Sequence, residues 1–104
     1  MPTKIYISGP ITGTDDYVIR FSFAEKILKN KYPDCEIVNP VTLNKDLSPG
    51  TEWRVYMAEC LRALCLCDAV YMLHRWSYSR GAMIEKKVAE NIGLKVIYEN
   101  DIAV

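Results

Sequence analysis

Lys4-Ile5-Tyr6-Ile7-Ser8-Gly9-Pro10 is a short β-branched and aromatic run cut off by glycine and proline, the pattern of a buried strand that breaks into a loop. The residues that follow, Gly9-Pro10-Ile11-Thr12-Gly13, lie between that strand and a helical pattern, so backbone N–H groups and the Thr12 hydroxyl are placed to approach a phosphate or sugar. The loop has neither the three-glycine fingerprint of dinucleotide folds nor a Walker lysine, and a plain strand-to-helix turn accounts for it equally well.

Downstream of the loop, Tyr17, Phe21, Ala24, Ile27 and Leu28 recur at three- and four-residue spacing, which predicts a helix from Asp15 to Lys31 with Thr14 and Asp15 suited to cap it. Glu36-Ile37-Val38-Asn39 reads as a second strand closed by Pro40. The stretch from Val41 to Thr51 shows no period and reads as a long loop, of the kind that often serves as a lid or binding element. Trp53, Tyr56, Met57, Cys60, Leu61, Leu64 and Cys65 then follow a strong helical rhythm. Ala69 to Leu73 forms a third strand, Trp76 to Ser79 a turn, and a last helix runs from about Arg80 to Asn91 before Gly93 stops it. Lys95 to Tyr98 is the fourth strand.

Strands alternating with helices imply right-handed crossovers. The expected fold is a small α/β, doubly wound, mainly parallel sheet of four to five strands with helices on both faces, flavodoxin- or Rossmann-like. Lys4 to Ser8 and Ala69 to Leu73 should be neighbours at its centre. Residues 1–104 read as a single domain, which suits a chain of this length. Ligands of such sheets bind beyond the carboxyl ends of the strands, where Ser8-Gly9-Pro10, Asn39-Pro40 and the stretch from His74 to Gly81 all fall.

Thirteen basic and thirteen acidic residues cancel, so no broad positive field favours a nucleic-acid polymer, and a mononucleotide suits the chain better. No run is long and apolar enough for a membrane span, and no basic-then-apolar leader opens the sequence, so a cytoplasmic protein with no membrane partner is expected. Cys35, Cys60, Cys65 and Cys67 match neither a disulfide framework nor paired zinc knuckles, and they read as reduced, small apolar side chains. His74, the single histidine, has no companions at metal-ligand spacing, so no metal is expected.

Ser79-Arg80-Gly81-Ala82-Met83-Ile84-Glu85 opens the last helix, and free N–H groups at a helix start form an anion site. Glu85 lies one turn past Gly81 on the same face, within reach of a sugar whose phosphate sits at that start. A capped helix with a solvated Glu85 is the plainer account of the same residues. Trp76 and Trp53 suit base stacking, core filling or a subunit contact alike.

Taken in order, Ile5 to Gly13, Asn39-Pro40, Cys67-Asp68-Ala69 and Ser79-Arg80-Gly81 through Glu85 resemble the nucleoside 2-deoxyribosyltransferases and the related 2'-deoxynucleoside 5'-phosphate N-hydrolases, and among them a small, often phage-borne branch. The resemblance implies Glu85 as the nucleophile at C1' of a deoxyribose, Tyr6 as a catalytic partner, and Ser79 and Gly81 on the phosphate side. Ser8, Gly9, Pro10, Ile11, Thr12, Gly13, Asn39, Trp76 and Arg80 complete the expected substrate-binding set. It implies cleavage or transfer at the N-glycosidic bond of a deoxynucleoside or deoxynucleotide, with no cofactor, in a homo-oligomer. One departure stands out: the family usually carries an aspartate eight positions before the residue matching Asp68, and here that position is Cys60. Two other readings therefore stand beside catalysis. One is a nucleotide-binding or sequestering protein with little turnover, and the other is an interaction module whose helix from Trp53 to Cys65 makes subunit contacts.

Overall fold

Along the first strand, β1 (Lys4–Ser8), the two-residue alternation of side chains sends Ile5 and Ile7 to one face of the sheet and Tyr6 to the other. The computed structural model describes residues 3–99. In chain order β1 is followed by α1 (Tyr17–Lys31), β2 (Glu36–Val38), α2 (Pro40–Leu43), α3 (Trp53–Cys65), β3 (Ala69–Met72), a 3-10 turn (Trp76–Tyr78), α4 (Arg80–Asn91) and β4 (Lys95–Tyr98).

The strands form one four-stranded parallel sheet in the order β2-β1-β3-β4. β1 and β3 are the central pair, in register from Ile5 opposite Ala69 to Ser8 opposite Met72, as the sequence predicts. The architecture is flavodoxin- or Rossmann-like. The winding reverses between these two strands, which opens a crevice beyond their carboxyl ends.

Each face of the sheet carries its own core. Phe21, Ala24 and Leu28 of α1 pack on Ile5, Ile7 and Tyr71. On the other face, Cys60 and Leu64 of α3 and Ala82 and Ala89 of α4 pack on Tyr6, Val70 and Met72. Asp68 pins the amino end of the sheet by accepting a hydrogen bond from the Lys4 amide at 2.8 Å.

Two local expectations are corrected. Neither Thr14 nor Asp15 caps α1: Asp16 occupies the cap position without a side-chain capping bond, and the Thr14 hydroxyl donates instead to the Ile11 carbonyl at 3.0 Å. A run of three short polar residues offers competing caps, and composition alone does not choose among them. The segment read as loop from Val41 begins as the short helix α2, because Asn39 accepts from the Val41 amide at 3.0 Å and Pro40 is preset for the first helical position. A single turn is too short to show a period.

Gly9 lets the exit of β1 pass close to that of β3, since a Cβ there would lie 2.8 Å from Cβ of Leu73. Gly93 takes the left-handed conformation, φ +86°, just past the end of α4. All four cysteines are free thiols. Burial pushes the Cys67 thiol up to about 11, and its Sγ donates to the Ala63 carbonyl at 3.3 Å. Among the described residues, no helix is long and apolar enough to cross a membrane.

Candidate active site

Tyr6 and Ser8 stand two residues apart on β1, so both hydroxyls reach the face covered by α4. There they meet Glu85. The Tyr6 hydroxyl donates to Oε2 at 2.6 Å, and the Ser8 hydroxyl donates to Oε1 at 2.6 Å. Glu85 is only 6 % exposed, which excludes the solvated glutamate of the plainer reading. Among the described residues no cation lies within ion-pair distance of it. Burial raises its carboxyl above the ordinary value, and the two hydroxyl donors pull the other way by favouring the charged form. Burial, reinforced by the Glu85 charge, also raises the Tyr6 phenol, so Tyr6 remains a neutral donor.

Glu85 borders a cavity of about 440 Å³ at the carboxyl edge of the sheet. Of the residues singled out from sequence, Tyr6, Gly9, Ile11, Thr12, Ser79, Arg80, Gly81 and Glu85 line it. Ser8 is fully buried behind Glu85 and acts on the cavity through that carboxylate. Pro10, Gly13, Asn39 and Trp76 are not in the lining. Asn39 is engaged in capping α2, and its Nδ2 donates to Oε1 of Glu25 at 3.1 Å. Trp76 turns instead to the end of β4 and the middle of α4, its ring 6.0 Å from that of Tyr98 and with the Lys86 ammonium 5.1 Å from its centroid.

At the start of α4 the Ser79 hydroxyl accepts from the Ala82 amide at 3.2 Å. The Ser79 carbonyl takes the Met83 amide, while the Arg80 and Gly81 amides have no such partner among the described residues. These two amides are the open donors at this edge of the cavity. Gly81 also permits close helix packing, because a Cβ there would lie 3.2 Å from Sδ of Met57 on α3.

Sequence reasoning missed Phe21, Tyr56 and Met57 as lining residues, carried Pro40, Tyr78 and Ala82 only within the stretches it placed at this edge, and left Trp53 undecided. Tyr56 and Met57 sit on the helical stripe of α3, and that spacing is the same whether a stripe faces core or cavity. Trp53 forms a wall of the cavity with the Arg80 guanidinium 4.3 Å from its ring centroid.

Cys60 is buried and outside the cavity lining. Its thiol is beside the hydroxyls of Tyr6 and Tyr56 and accepts from Nδ2 of Asn44 at 3.4 Å. Burial pushes the thiol up, so it is a neutral group next to Glu85, the one buried carboxylate among the described residues. Among the described residues no group of three or more His, Cys, Asp and Glu is placed to hold a metal. No curated protein matches the chain. Residues 3–98, nearly its whole length, match the family described as Domain of unknown function (DUF4406), and the chain belongs to that family.

Proposed function

We propose that this protein cleaves or transfers at the N-glycosidic bond of a 2'-deoxynucleoside or its 5'-monophosphate, with Glu85 as the nucleophile. The observation that carries the reading is the Glu85 carboxylate, buried at the wall of a cavity and held at both oxygens by Tyr6 and Ser8. The motifs resembling the nucleoside 2-deoxyribosyltransferases run through these same residues. In the first step one Glu85 oxygen bonds to C1' as the C1'–N bond breaks. The bonding pair leaves with the base, which takes up a proton. Water or a second base then displaces the carboxylate from C1' and gives up a proton to solvent, balancing the one taken by the departing base and regenerating Glu85.

Tyr6 and Ser8 each occupy one lone pair, fix the carboxylate plane and leave a second lone pair for attack. The open amides of Arg80 and Gly81 suit the phosphate, and Thr12, which also lines the cavity, suits the sugar or base. The chemistry requires no cofactor, since the substrate supplies the electrophile. A homo-oligomer accompanies this reading. Incubation with a panel of deoxynucleosides and deoxynucleotides, with free base followed by chromatography, tests it.

Cys60 supports a second reading. A neutral thiol in place of an acid leaves no second carboxyl to assist departure of the base, and the raised Glu85 favours its uncharged form. A protein that binds the nucleotide without turning it over would retain affinity in the same panel and release no base.

A further inference from the structure

α1 is apolar on two faces. Phe21, Ala24 and Leu28 fill the core on its sheet side, whereas Val18, Ile19 and Phe23 are 51, 72 and 61 % exposed. A surface helix ordinarily turns charged residues to solvent, so a second apolar stripe marks a contact. Ile19 and Phe23 are one turn apart, and the exposed stripe they form begins at Asp16 and continues to Lys26. Both charges are uncommitted. Asp16 sits at the cap position without capping, and neither it nor Lys26 forms an ion pair among the described residues.

The stripe is self-complementary about the level of Phe21. Ile19 and Phe23 lie two residues to either side of that level, and Asp16 and Lys26 lie five. Two copies of α1 laid antiparallel about a twofold axis at that level set Ile19 of each copy on Phe23 of the other. The same axis sets Asp16 opposite Lys26, and every contact occurs twice. Of the other exposed large apolar side chains on the longer helices, Trp53 lines the cavity, and Val55 of α3 and Met83 of α4 have no large exposed apolar companion one turn away on their helix.

We propose that the outer face of α1 is a homodimer interface whose occupant is α1 of a second copy of this chain, packed antiparallel. The inference is independent of the glycosidic chemistry. Its test is sedimentation equilibrium of the full chain. Asp16→Lys and Lys26→Asp should each weaken dimerisation by about tenfold, because two ion pairs per interface become repulsive. The double reversal in one chain should restore it. Phe23→Asp should give a folded monomer with an unchanged circular dichroism spectrum, and Ile19→Ser, a milder exposed change, should shift the equilibrium the same way. A wild-type chain that stays monomeric at its highest soluble concentration overturns the proposal. So does a dimer that survives both Phe23→Asp and Ile19→Ser, or a double reversal that dimerises no better than the single variants.

Discussion

The Tyr6 hydroxyl stands 2.6 Å from Oε2 of Glu85, joining the first strand to the last helix across 79 positions of the chain. Tyr6→Phe removes that donor while keeping the ring, leaving one buried carboxylate oxygen unsatisfied. We expect a loss of about 1–3 kcal/mol in denaturant unfolding with an unchanged m-value. An unaltered midpoint would mean that the bond contributes nothing to the fold.

Glu85 ties stability to pH. Its carboxyl lies above the ordinary value in the folded protein, because burial disfavours the charge. Between the ordinary carboxylate value and that raised value, the native state holds a proton that the unfolded chain has released. Stability therefore falls as pH rises through this window and stays reduced above it. Glu85→Gln carries no charge to desolvate. It should flatten this dependence and raise the melting temperature at neutral pH by about 2–5 °C. A variant less stable than the parent across the whole pH range would contradict the assignment.

Two glycines make opposite predictions. A Cβ at Gly9 meets Cβ of Leu73 at 2.8 Å, an atom fixed to the backbone, and both sit at packed strand ends, so Gly9→Ala should destabilise by about 1–3 kcal/mol. At Gly81 the nearest atom, 3.2 Å away, is the sulfur of Met57, a flexible side chain that yields more readily. Gly81→Ala should change stability by less than about 1 kcal/mol and act mainly on ligand affinity. Thermal unfolding of the two variants side by side settles the order.

With a thiol rather than an acid at position 60, Glu85 is the one carboxylate at the cavity among the described residues. Cys60→Asp adds a second beside it, and like charges push each other's values up. The variant should be less stable at neutral pH by about 2 kcal/mol or more, with the deficit shrinking on acidification. If the protein turns over, the acid limb of its pH–rate profile should move to higher pH. Equal stability at acid and neutral pH would show that the new carboxyl does not feel Glu85.

The fold was legible because its signals are local and repeated. Strands ending at Ser8 and before Leu73, and the strong helical period from Trp53 to Cys65, fix a parallel sheet with few alternatives. The cap of α1 and the single turn of α2 were not legible, since competing polar side chains and one turn of helix leave no periodic trace. For the site, the placement of Glu85 near Tyr6 was readable only through motif order. The bond from Ser8 follows from strand alternation, whereas Trp53, Tyr56 and Met57 line the cavity through a helix packing that spacing does not encode. Trp76 shows the converse. Its aromatic character suited a base, but the 3-10 turn that holds it directs the ring to Tyr98.

The most direct test of the account is a paired measurement of nucleotide affinity and base release for the parent protein and Glu85→Gln. The substitution keeps shape and hydrogen-bonding reach but removes the attacking charge. Affinity should survive while base release falls by several powers of ten, on the order of 4 kcal/mol or more of transition-state stabilisation. Release by the Gln form at the parental rate would remove Glu85 from the mechanism, and absence of release from both forms with affinity retained would establish sequestration in place of catalysis.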